Sequence, residues 1–376
     1  MNPNPILGVF FHWLGGLASG SFYVPYRGVK KWAWEVYWLA GGVFSWIVMP
    51  WLMAGLIIPN LFQVLSEQSF NTLAWTYFWG MMWGFGGLTF GLTMRYLGMS
   101  LGMAVALGYC AVFGTIMPPI FDGTIGAKLH TIPGQIILIG IIICLQGIVI
   151  VALAGMSKER EMTDEQKRES IKEFSFWKGI LVATFSGVMS SCMAYGMSAG
   201  EPISVSALKY GADGIWTGLP KLIVVLAGGF TTNFLWCLYL LLKNKTLHQY
   251  TSKYELIETS AKTPAKTASA SRVPLLANFL FSALAGCTWY MQFFFYTMGE
   301  TQMGHYKFSS WTIHMASIII FSTLWGILLK EWKNTSGMTK FMVGLALVTL
   351  IGSTIVIGYA NYLGTHFDGL DAANIH

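Results

Sequence analysis

The stretch Val9–Glu35, VFFHWLGGLASGSFYVPYRGVKKWAWE, opens on an apolar run and closes on a basic cluster. Its front belongs to a run near 6–26 that is long enough to cross a bilayer, which takes about 20 mostly apolar residues. His12 lies inside that run, and Arg27, Lys30 and Lys31 crowd its far end. An ionisable ring at membrane depth marks a candidate functional position. A basic cluster just after an apolar run marks the cytoplasmic end of a span.

The same pattern recurs along the chain. Apolar runs fall near 6–26, 34–58, 72–94, 97–121, 134–155, 176–199, 214–242, 273–298, 309–329 and 340–363. The third and fourth are joined by the tight turn RYLGMS. Composition agrees, with 54% hydrophobic and only 11% charged residues, where a soluble domain carries about 25% charged. The net charge of +6 does not indicate nucleic acid, because the basic residues sit in loops between the runs. The five cysteines fall inside apolar runs without CxxC or Cys/His spacing, and read as buried free thiols. The start MNPNPILG lacks a basic n-region, so the first run is expected to be a retained helix.

Loop charge orients the runs. With the N-terminus outside, 19 of the 23 Lys and Arg residues fall in inside loops. Only Lys128, Lys209 and Lys307 fall outside, and Lys221 lies within a run. This split predicts ten spans with both termini outside. The expected class is therefore an all-α integral membrane protein of the inner (plasma) membrane, with ten transmembrane helices.

The runs divide into two halves of five, residues 1–156 and 176–363, so the second half enters the membrane inverted. Inverted repeats are a common transporter plan, with the substrate held between the halves. LGGLASGSFYVP in span 1 resembles FSGVMSSCMAYG in span 6. A cytoplasmic linker at 157–175 mixes both charge signs and is expected to form a solvated or surface-lying helix. The loop at 243–272, rich in Ser, Thr, Ala and Lys, is expected to be mobile, and 364–376 to form an external tail.

Polar residues within the runs are the site candidates. In span 3, Gly80, Gly84, Gly87 and Gly91 share one helix face and read as a helix–helix seam. His12 shares a face with Gly16, Ser19 and Tyr23, and His314 shares one with Ser310 and Ser317. His12, His314 and Lys221 are the proton-coupling candidates, since a histidine titrates in the range that carries a proton. Gln292 both donates and accepts, as sugar hydroxyls require. Thr288 lies one turn from it, and Trp83, Trp289, Tyr296 and Trp311 offer flat faces for a sugar ring. Each has a structural reading beside the functional one. The histidines can bond a neighbour, Lys221 can reach the headgroups or pair with Glu201 or Glu300, and the aromatics can simply pack.

No P-loop, HExxH or DxD motif occurs. Three function classes follow: a proton-coupled transporter of a small neutral sugar, a transporter of an anionic or aromatic metabolite with Lys221 as counter-charge, and a membrane enzyme acting on lipid-linked sugars. The bilayer and the sugar are the expected partners, with protons as coupling ion and no cofactor.

The strings FHWLGG, FYVPYRGVKKWAWE, FSWIVMPW, GLTMRYLGMSLG, WYMQFFFYTMG, SWTIHM and LKEW, in order from Phe11 to Trp332, carry a resemblance. The chain resembles the L-rhamnose–proton symporter family of the drug/metabolite transporter superfamily. The resemblance implies ten helices with both ends outside, and import of L-rhamnose or a close 6-deoxy sugar driven by protons. It reaches His12, Glu35, Arg95, Gln292, His314 and Glu331. Lys221 after Leu-Pro departs from it, because a small polar residue is usual there.

Overall fold

Each apolar run becomes one long helix in the computed structural model, which describes residues 3–97, 99–162, 175–255 and 271–373. These helices are α1 (Pro5–Ser21), α2 (Trp34–Ile57), α3 (Phe70–Leu97), α4 (Met99–Phe121) and α5 (Ile132–Glu161). After them come α6 (Phe176–Ala199), α7 (Leu219–Lys243), α8 (Leu275–Thr301), α9 (Ser310–Leu328) and α10 (Gly337–Ala373). Among the described residues, seven helical segments are long and apolar enough to cross a membrane. The protein is an all-helical, multi-span membrane protein. α3 and α8 are also long, but their Trp, Tyr, Gly and Gln residues dilute the apolar character.

Local sequence explains where the helices start and bend. Asn4 caps α1 by accepting from the Leu7 N–H at 3.2 Å, with Pro5 in the first turn, where its missing N–H costs nothing. Thr131 and Pro133 repeat the device at α5. α1 breaks at Phe22, and a separate turn, Tyr23–Tyr26, carries Pro25. In α2 the residues Phe44–Val48 form a π turn directly before Pro50. Proline lacks an N–H and crowds the carbonyl four residues back, so the ladder widens there.

The helix ends sort into two groups. At the termini end, Asn4 meets Gln302, Thr131 meets Tyr306, and Glu67 accepts from Ser206 and Tyr210. At the opposite end, Arg27 pairs with Glu331 at 3.4 Å, Glu35 accepts from Asn244 and Thr246, and Glu161 accepts from Ser336 and Thr339. This second, basic end carries the loops that the charge count assigns inside. A short ribbon there pairs Tyr254–Glu255 with Ser271–Arg272.

Several expectations change in detail. α10 runs on to Ala373 and α5 to Glu161, so the boundaries at 364 and 156 fall within helices. Lys158 and Arg160 in the last turn of α5 suit the negative end of its dipole. The seam of α3 holds at two positions only. Gly80 lies against Val225 and Gly84 against Thr232 of α7, whereas Gly87 and Gly91 face open space. The turn residue Gly98, the helix expected within 157–175 (residues 163–174) and half of the loop at 243–272 (residues 256–270) lie outside the described residues, as do the last three residues of the 364–376 tail.

α1 packs on α8 and α9, and α6 packs on α3 and α4. The largest buried cluster joins α2, α4, α6, α7, α8 and α9 through Trp46, Cys110, Met193, Leu226, Phe293 and Trp311. Large apolar side chains such as Leu56, Phe121, Leu181 and Leu276 cover the outside, as a lipid-facing surface requires.

Candidate functional site

α1, α8 and α9 meet at two histidines. His12 of α1 and His314 of α9 are fully buried, with ring centroids 6.3 Å apart. Tyr296 of α8 lies beside both, 5.3 Å from His12 and 5.2 Å from His314. Close approach is built into the backbone. A Cβ at Gly299 would lie 2.8 Å from the His12 ring, and one at Gly15 would lie 2.8 Å from the Gln292 carbonyl and 3.2 Å from His314. Larger residues at either glycine would separate α1 from α8.

All four ring nitrogens of His12 and His314 lack a hydrogen-bond partner among the described residues. The same holds for Gln292 Nε2 and Ser310 Oγ, both buried. Native interiors satisfy most buried polar groups, so an unsatisfied group calls for an explanation such as an absent water, ion or ligand. Several such groups on adjoining helices make this a binding-site candidate rather than ordinary packing.

An aromatic wall continues from the histidines. Phe293 lies 6.2 Å from His314 and 5.2 Å from Trp289. Trp83 of α3 lies 5.7 Å from Trp289, and Trp46 of α2 lies 5.4 Å from it. Trp46 was not among the sequence candidates. Its indole N–H is buried without a partner among the described residues, and the π turn before Pro50 sets its position. The signal was the proline four residues on in FSWIVMPW. Trp311 sits 5.7 Å from Tyr296, but its N–H donates to the Cys110 carbonyl at 3.0 Å. It therefore ties α9 to α4 and offers the site only its ring.

Other candidates stand elsewhere. Ser19 is buried on α1, about 10 Å along the helix from His12 at 1.5 Å per residue. Tyr23 lies beyond the break at Phe22 and is 57% exposed, stacked near Phe22 and Trp38. Thr288 donates to the Leu284 carbonyl of its own helix and lines an apolar groove with Leu14, Leu17 and Met291. Lys221 is 2% exposed, and its Nζ lies 3.2 Å from Glu201 and 3.0 Å from Glu300. Lys307 lies 2.7 Å from Glu201. Lys221 therefore pairs with both carboxylates and has no free charge to offer an anionic substrate. The side chain of Arg95 lies outside the described residues. Among the described residues no three His, Cys, Asp or Glu side chains converge as a metal site.

A multi-span helical bundle with buried, unsatisfied polar groups beside stacked aromatics fits a membrane transporter. The chain belongs to the L-rhamnose-proton symport protein family, whose sequence pattern it matches over residues 1–366. It is 35% identical over 353 residues to the L-rhamnose-proton symporter of Salmonella gallinarum, covering 94% of this chain and 97% of that one. The symporters of Salmonella paratyphi B and Salmonella newport match at the same identity and coverage. The family is one of transporters, so the protein is not an enzyme, and the lipid-linked sugar reading is set aside.

Proposed function

We propose that this protein imports L-rhamnose, or a closely related 6-deoxy sugar, together with protons by alternating access. The observation that carries the mechanism is the pair of buried histidines with no hydrogen-bond partner among the described residues, beside the unpartnered amide of Gln292. His12 and His314 are close enough for charge on one to oppose charge on the other, so the pair carries one proton at a time. Gln292 and Ser310 bond sugar hydroxyls, and Trp289, with Trp83 and Trp46 beside it, stacks on the less polar face of the ring. Proton and sugar each drive the change of state only by binding one state better than the other.

Ten spans in two inverted five-helix halves complete the proposal. Helix pairings support this reading because they repeat when every helix number is advanced by five. α1 packs on α8 and α9 as α6 packs on α3 and α4, α2 packs on α8 as α7 packs on α3, and α5 packs on α10. The positive-inside count then puts the basic end in the cytoplasm and both termini outside the inner membrane. Addition of L-rhamnose to energy-depleted cells expressing the protein is expected to raise external pH. Sugar uptake without proton movement would sink the coupling.

A further inference from the structure

The termini end holds a second polar pocket, separate from the histidines. It has a volume of about 260 Å³ and is lined by Glu201, Ser204, Thr217, Lys221, Glu300 and Lys307 among others. Lys221 bridges Glu201 and Glu300, and Lys307 closes on Glu201. Two carboxylates and two ammonium groups cancel, so the wall is densely polar without net charge. Such a wall does not select an ion. It presents acceptors and donors at fixed positions, which suits a ligand whose hydroxyls do both. The hydroxyl of Ser204, 7% exposed at the residue level, is buried at this wall and has no partner among the described residues.

One helix face links this pocket to the histidines. Glu300, Tyr296 and Gln292 follow one another at four-residue intervals on α8, so they lie one turn apart on nearly one face. Tyr296 touches both histidine rings. The step from Glu300 to Gln292 is about 12 Å at 1.5 Å per residue.

We propose that this pocket is an outer sugar site, which holds a neutral polyhydroxylated monosaccharide before it reaches the histidine cluster. The proposal rests on the sugar-transport reading above. It gives Lys221 a role: the lysine holds Glu201 and Glu300 in place as hydroxyl acceptors and offers a donor itself. A purely structural ion network would hold the loops together and bind nothing.

Equilibrium binding of radiolabelled L-rhamnose to the purified full chain tests it, with initial-rate uptake measured beside it. Ser204→Trp and Thr217→Phe fill the pocket from two walls and leave the charges and the histidines in place. Wild type is expected to bind two sugars per chain and each filled variant one. The KM of uptake is expected to rise about tenfold in the variants, with little change in maximal rate. Gln292→Leu is expected to weaken the other site about tenfold and leave this one unchanged. One sugar bound by wild type, together with unchanged KM in both filled variants, overturns the outer site while leaving the histidine site standing. Wild type that binds and transports no L-rhamnose overturns both readings.

Discussion

Two groups of ionisable side chains meet α8, one at Glu300 and the other at Tyr296 and Gly299, and they are built in opposite ways. At the termini end, Lys221, Glu201, Glu300 and Lys307 satisfy one another in a closed network. Deeper in, His12 and His314 satisfy nothing within the described chain. A fully paired network holds its charges permanently, because removing one partner strands another. An unpaired histidine beside a second one is free to gain and lose a proton as its surroundings change. Burial alone therefore does not identify the coupling group, whereas partnering separates the two groups.

The largest effect that would break this comparison is at the histidines. Replacement of either His12 or His314 by Gln is expected to abolish uphill accumulation of L-rhamnose while leaving exchange of sugar down its gradient measurable. Accumulation at wild-type levels in either variant would remove that histidine from the coupling path.

Next comes the paired network. Lys221→Met leaves Glu300 without its buried partner and is expected to lower stability by about 3 kcal/mol. That is the low end of the range for buried pairs, because the Glu201 side chain is 43% exposed. Thermal unfolding of the purified protein measures the loss, and adding Glu300→Gln is expected to restore part of it. An unchanged melting temperature in the single variant would show that the network is not structural.

Gln292→Leu removes a hydroxyl-bonding amide and is expected to weaken L-rhamnose binding about tenfold, or 1.4 kcal/mol. Unchanged affinity would place the sugar away from Gln292.

The smallest effect lies at Glu67. Hydrogen bonds from Ser206 and Tyr210 hold its carboxyl below the ordinary range. A lowered folded pKa means the contribution is present above the unfolded pKa and fades as pH falls through the folded value. Glu67→Gln is therefore expected to flatten the acid limb of a stability–pH curve slightly, and an unaltered limb would remove Glu67 from acid stability.

Much of this was legible in the residues. Each of the ten runs corresponds to a helix, because a run of apolar residues can satisfy its backbone in lipid only by coiling. His12, His314 and Gln292 stood out because ionisable and amide groups are rare at membrane depth. Tyr23 was assigned to the His12 face by counting turns through Phe22, where the helix breaks ahead of Pro25. Thr288 was placed with Gln292 on periodicity, but its hydroxyl bonds its own helix and its side chain lines an apolar groove. The pairing of Lys221 with Glu201 and Glu300 was one of two structural readings open in the sequence, and contacts across 20 and 79 residues select it. Trp46 became visible only once the π turn at Phe44–Val48 was in view.

The central claim is that the unpartnered histidines carry the coupled proton. Proteoliposomes holding either wild type or the His12→Gln/His314→Gln double variant, with a pH dye inside and L-rhamnose added outside, test this directly. Wild type is expected to acidify the lumen as sugar enters, and the double variant to admit sugar without acidification. Acidification by the double variant at the wild-type rate would contradict the account.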